Sequence, residues 1–269
     1  MSQSPIAADD AALRSDVRRL GDLLGQTLVR QEGPELLALV EEVRKAVREG
    51  SGDEILATLS VEDSVQLVRA FSTYFHLANV AEQVHRARVL AEARATGGSW
   101  LARAVDRIEA AMKAQTPGHE LTKEEITEWV SAMSVRPVFT AHPTEAARRS
   151  VLNKLGSIAD LLDDPRNPSQ QDRLAETVDL LWQTDELRLG RPEPLDEALN
   201  ALYYLDDLFT ETVPEVLNDF AKEMKRIDVD VPITARPLSF GNWIGGDRDG
   251  NPNITAEVTT DAMELQVSH

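Results

Sequence analysis

There is no cysteine in the 269 residues. That excludes a disulfide framework, a thiolate nucleophile and thiolate zinc ligation, and it fits a reducing compartment. Aromatic residues are scarce at 5%, and histidine occurs five times, so imidazole chemistry has few candidate carriers. No run of about 18 apolar residues exists to span a bilayer. Met1 to Asp10 has neither a basic nor an apolar region, so no secretory signal is read there. A soluble cytoplasmic protein is expected, with no membrane partner. Positive charge is also in deficit: 28 basic against 46 acidic side chains give a formal net charge of -18. Such a surface repels a phosphate backbone and argues against nucleic acid as a partner. A small anionic substrate is compatible with it where arginines gather in a cleft.

Apolar residues make up 42% of the chain, enough for a substantial core, and they recur mostly at helical spacing. Leu13, Val17, Leu20, Leu24 and Leu28 form one stripe. Leu36, Leu39, Val40, Val43 and Val47 form a second, which Gly50 is placed to stop. Ser60 and Asp63 have N-cap and N3 spacing before a long helix expected to bury Leu67, Phe71, Phe75 and Ala78 and to fade at Gly97-Gly98. Ser99 can cap the next helix, and Thr122 with Glu125 predicts a capping box. Gln115 to Glu120 reads as a surface turn. Val138 to Thr140 favours a short strand, with a helix expected from Pro143. Helices are predicted over about Gln170 to Leu189 and Leu195 to Arg226, with Pro214 breaking or restarting the second. Val231 to Asn253 is a long Gly-, Pro- and Asp-rich loop of the kind that often carries function. Helix-like sequence resumes at Ala256.

Two segments concentrate chemistry. In Phe139-Thr140-Ala141-His142-Pro143-Thr144-Glu145, His142 falls between the predicted strand and a helix N-terminus. A helix dipole there disfavours imidazolium, leaving a neutral ring able to accept a proton. First-turn amides attract anions. Thr140 and Thr144 can bond ligand or backbone oxygens, and Arg148 or Arg149, one to two turns on, can face the same anion. A base beside an anion is a workable catalytic arrangement. For an isolated histidine a plain capping role is the commoner reading, so spacing alone does not settle His142, and His76, His85, His119 and His269 are read as structural.

The second segment is Gly241-Asn242-Trp243-Ile244-Gly245-Gly246-Asp247-Arg248-Asp249-Gly250-Asn251-Pro252. Asp247 and Asp249 flank Arg248 and can hold it in place. Asp247, Asp249 and Asn251 match the first places of an EF-hand, but its glycine and final glutamate do not follow. No Gly-Lys-Ser/Thr follows for a phosphate loop either. A hydrogen-bonded supporting turn is the other reading of these carboxylates.

Together, Thr140 to Glu145 and Gly245 to Pro252 resemble the signatures of phosphoenolpyruvate carboxylase, in the family's order. Leu181-Trp182-Gln183-Thr184-Asp185-Glu186-Leu187-Arg188, Arg191-Pro192 and Asp196-Glu197-Ala198 resemble it too. The resemblance covers essentially the whole chain and is most specific from about Pro137 to Thr255. It implies formation of oxaloacetate and phosphate from phosphoenolpyruvate and bicarbonate, replenishing the tricarboxylic acid cycle, with Mg²⁺ or Mn²⁺. His142 matches the family's proton-accepting histidine. Thr140, Thr144, Arg148, Arg149, Asp247, Arg248, Asp249 and Asn251 are expected to bind substrate or shape the site. Family members are several times longer, and their metal-binding carboxylates and Gly-Arg-Gly-Gly loop lie in later sequence. No metal ligand is therefore assigned here, and this segment by itself is expected to be inactive. Gln183 stands where many relatives have arginine and is given no site role.

The implied fold is mainly α, the N-terminal helical part of an α/β (TIM-like) barrel enzyme, with one or two short strands in this segment. Residues 1–10 are expected to be disordered, 11–135 a helical region, and 136–269 the start of the catalytic barrel. A homotetramer under allosteric control is implied for the parent enzyme. The alternative is a non-catalytic helical interaction domain that retains the motifs.

Overall fold

The structure, a computed structural model, describes residues 10–114, 121–140, 148–163, 168–185, 193–249 and 251–268. It is mainly helical. In chain order come α1 (Asp10–Glu32), α2 (Pro34–Glu49), α3 (Gly52–Leu56), α4 (Val61–Ala95), α5 (Trp100–Ala114), α6 (Lys123–Ala132), β1 (Val138–Phe139), α7 (Arg149–Asp163) and α8 (Pro168–Trp182). There follow α9 (Pro194–Asp207), a π-helical turn (Leu208–Thr212), α10 (Val213–Lys225), β2 (Gly241–Asn242) and α11 (Ala256–Ser268). The chain divides into two compact units, Met1–Glu92 with Ala147–Arg188, and Ala93–Ala146 with Leu189–His269.

In the first unit the stripe predicted for α1 faces inward: Leu20, Leu24 and Leu28 are buried, with Leu13 and Val17 packed at its edge. Gly50 ends α2 in left-handed backbone, φ 80°, its N–H returned to the carbonyls of Ala46 and Val47. A side chain there would strain the turn. Val47, expected inward, is exposed. Ser60 Oγ accepts the Asp63 N–H at 3.0 Å at the start of α4. That helix buries Leu67, Ala70, Leu77, Val80 and Ala81, which corrects the predicted face, because Phe75 is 61% exposed. Steps of four residues overshoot a full turn, so Leu67, Phe71 and Phe75 drift about 80° around the axis.

Polar contacts tie these helices. Arg88 donates to Asp16 at 2.7 Å, Asp163 at 2.8 Å and the Leu162 carbonyl at 2.6 Å, joining α1, α4 and α7. Thr27 Oγ1 and Arg30 both donate to Asp179 Oδ1, at 2.5 and 2.7 Å, joining α1 to α8. Trp182 is fully buried, with its indole N–H given to Glu32 at 2.9 Å. The Arg69 guanidinium lies over its ring at 4.4 Å and donates to its carbonyl. This occupies a carbonyl at the helix end, and α8 stops at Trp182 instead of running on to Leu189 as predicted. The part of that prediction from Glu186 onward lies outside the described residues, as does the turn expected at Gln115 to Glu120.

In the second unit, Ser99 Oγ accepts the Ala102 N–H at 3.0 Å, and the predicted capping box forms at Thr122 and Glu125. The Thr122 backbone N–H, then its hydroxyl, hold the Glu125 carboxyl below its usual range. Val105, Ile126, Val130, Met224 and Ile227 form one apolar cluster among α5, α6 and α10. Ala198, Ala201, Ile244 and Ala262 form another, with Phe139 and Leu195 against it. Pro214 sits in the first turn of α10, just past the π-helical turn, so the restart expected there is present. β1 and β2 make a parallel two-stranded sheet. Among the described residues, no helix is long and apolar enough to cross a membrane.

Candidate functional site

The strand expected at Val138 to Thr140 forms over Val138–Phe139. Its partner was not legible, because Gly241-Asn242 has no β-branched or aromatic residue to favour a strand. The register sets Val138 against Gly241 and Phe139 against Asn242. Gly241 N–H donates to the Pro137 carbonyl at 2.9 Å, and Trp243 N–H to the Phe139 carbonyl at 2.8 Å. A further bridge pairs Val135 with Leu238. Two motif segments far apart in sequence are thereby laced side by side within one unit. Thr140, exposed, follows the ladder directly. His142 and Thr144, with Pro143 between them, lie outside the described residues.

The glycine-rich turn is held by its own backbone. Gly246 and Asp247 N–H both donate to the Trp243 carbonyl at 2.9 Å. Asp247 Oδ1 accepts the Asp249 N–H at 3.1 Å, and Asn251 Oδ1 accepts the Asn253 N–H at 3.0 Å. Asp247, Arg248 and Asp249 are exposed and Asn251 half-buried. Among the described residues no ion pair joins Arg248 to either aspartate, so the expectation that they hold it is corrected: Asp247 turns instead toward a backbone N–H, the local bond its short side chain favours. No group of three His, Cys, Asp or Glu among the described residues is placed to hold a metal.

Arg148 and Arg149 belong to the first unit, Thr140 and the glycine-rich turn to the second. The Arg148 carbonyl accepts the N–H groups of Val151 at 2.8 Å and Leu152 at 3.1 Å, so Arg148 caps α7 and Arg149 is its first residue. The sequence reading placed both one to two turns inside a helix. They stand instead at the N-terminal end of α7, where the helix dipole adds to guanidinium attraction for an anion. Arg148 lies 3.8 Å from Asp185, in the quoted Leu181 to Arg188 piece.

Two residues within the quoted motifs were not singled out. Asn242 Oδ1 accepts the Ile244 N–H at 2.9 Å, while its Nδ2 is buried without a partner among the described residues. Buried donors are almost always satisfied, so this one marks the end of β2 as unusual. Glu197 on α9 is half-buried, and burial raises its pKa. Neither signal exists in sequence, since both depend on solvent exclusion by remote residues.

The family model for phosphoenolpyruvate carboxylase matches residues 13–269. A phosphoenolpyruvate carboxylase of Proteus mirabilis is 36% identical over 273 residues, covering 95% of this chain and 30% of that protein. Those of Pseudomonas aeruginosa and Serratia proteamaculans are each 37% identical, with the same shares covered. The chain thus spans about 30% of the length of these relatives. With every residue from Leu13 onward inside that match, the chain belongs to the phosphoenolpyruvate carboxylase family.

Proposed function

We propose that this chain is the N-terminal portion of an enzyme that makes oxaloacetate and phosphate from phosphoenolpyruvate and bicarbonate. A bicarbonate oxygen attacks the phosphoryl group, the bond to the enol oxygen breaks, and carboxyphosphate and the pyruvate enolate result. His142 accepts the carboxyphosphate proton. Carbon dioxide and phosphate then separate, and the enolate carbon attacks the carbon dioxide. Thr140, Thr144, Arg148, Arg149, Asp247, Arg248, Asp249 and Asn251 bind substrate or shape the site. What supports this reading is the ladder that sets Phe139 against Asn242, since it joins the strand before His142 to the glycine-rich segment.

Mg²⁺ or Mn²⁺ belongs to the proposal as a Lewis acid that stabilises enolate charge. The described residues do not fit it, and its ligands belong to later sequence under this proposal. Titrating Mg²⁺ into this chain by calorimetry is expected to show no binding tighter than about millimolar. A barrel fold, a cytoplasmic homotetramer and allosteric control are proposed for the parent enzyme in the same way.

The test joins this chain to the remaining length of a family member. The wild type is expected to release oxaloacetate, and His142→Asn to lower kcat about 10²–10⁴-fold, the range for a lost general base. Full activity in His142→Asn would leave the motifs to a non-catalytic helical domain.

A further inference from the structure

Between α9 and α10 the helix widens into the π-helical turn Leu208–Thr212. Pro214 has no N–H for the carbonyl of Thr210, four residues back, and a widened turn absorbs that mismatch. The extra residue also rotates the helix face by about 100°. Phe209, on this turn, meets Phe240 edge to face with ring centroids 5.3 Å apart. Phe240 in turn meets Phe139 at 6.3 Å. Phe139 is the last residue of β1 and stands three residues before His142 in sequence.

Burial does not explain the placement of Phe209, which stays 51% exposed. What the ring gains is contact with Phe240, next to the first residue of β2. A parallel pair two residues long, extended by one further bridge between Val135 and Leu238, is still a short ladder, and even longer two-stranded units are marginal in water. Phe139 belongs to β1 and Phe240 adjoins β2, so the three rings link the π-helical turn to both strands.

We propose that Phe209 and Phe240 are positioning residues, which brace β1 so that the chain enters the His142 segment along a fixed line. The proposal rests on the proton-accepting role given to His142 above. Under it, the π-helical turn is the device that brings Phe209 to bear.

Amide exchange on this chain tests the brace directly. In Phe209→Ala and Phe240→Ala, the Gly241 and Trp243 amides should exchange about ten-fold faster, the scale set by one aromatic pair. The Val229 amide, bonded to the Met224 carbonyl, should not change, which shows that the unit is still folded. Phe209→Tyr keeps the ring and should match the wild type. Unchanged exchange at Gly241 and Trp243 would overturn the brace. In the family-length enzyme Phe209→Ala should lower kcat about ten-fold and leave KM for phosphoenolpyruvate within about two-fold, the pattern of a disturbed reacting geometry. Loss of thermal stability with kcat intact would overturn the positioning role. If His142→Asn is fully active, the functional reading falls, and exchange still decides whether the strands are braced.

Discussion

Gly245 is pressed against Ala262: a Cβ on Gly245 would stand 2.6 Å from the Ala262 Cβ, and its φ of 78° is left-handed. The glycine-rich turn therefore docks on α11 through two of the smallest residues available. Gly245→Ala meets both penalties and is expected to cost about 2–4 kcal/mol, adding a left-handed side chain to an overpacked contact. Gly50→Ala is the control, with φ 80° but nothing within 4 Å of the added carbon. It should cost about 1–2 kcal/mol, the conformational part only. Urea unfolding of both variants measures the difference, and equal costs would show that the contact with Ala262 does not matter.

Asp179 predicts an acid-sensitive link between α1 and α8. Burial raises its pKa, but hydrogen bonds from Arg30 and Thr27, with the charge of Arg30, together outweigh that and lower it. A lowered carboxylate stabilises the fold above its unfolded pKa of about 3.9. That contribution fades as pH falls through the still lower folded value. Asp179→Asn should cost about 1 kcal/mol at pH 7, discounted for partial solvent screening. Thermal melts should show the gap from wild type closing below about pH 4.

Glu197 predicts the opposite sign. Burial raises its pKa, so the folded state holds the proton more tightly than the unfolded chain. Stability is then lost as pH rises from the unfolded value of about 4.3 through the folded one. Glu197→Gln should gain less than about 1 kcal/mol at pH 7, because solvent still reaches the group. The gain should vanish below about pH 4. A variant less stable at pH 7 would reveal a favourable partner for the carboxylate.

The outer face of α4 exposes Val61, Val65, Val68 and Phe75, with Val47 and Leu56 also exposed. Val47, Leu56, Val68 and Phe75 line one shallow apolar groove, and exposed apolar surface of this kind drives association. Sedimentation velocity on this chain is expected to show concentration-dependent self-association, reduced in Val65→Glu/Val68→Glu. A clean monomer at every concentration would refute it.

Sequence determined what neighbouring residues settle among themselves. Gly50 stops a helix because left-handed backbone is cheap only for glycine. Thr122 and Glu125 make a capping box because they stand three positions apart, on one turn. The membership of the chain was legible for a related reason: the strings around His142 and Asp247 are long, uncommon and in order. Tertiary structure decided what depends on distant partners. It turned Phe75 outward because α1, α7 and α8 claim a different side of α4, and it ended α8 where Arg69 reaches the Trp182 carbonyl. It also paired Phe139 with Asn242. Nothing in Gly241-Asn242 announces a strand, because a strand is completed by the bonds of its neighbour, and only folding brings that neighbour alongside.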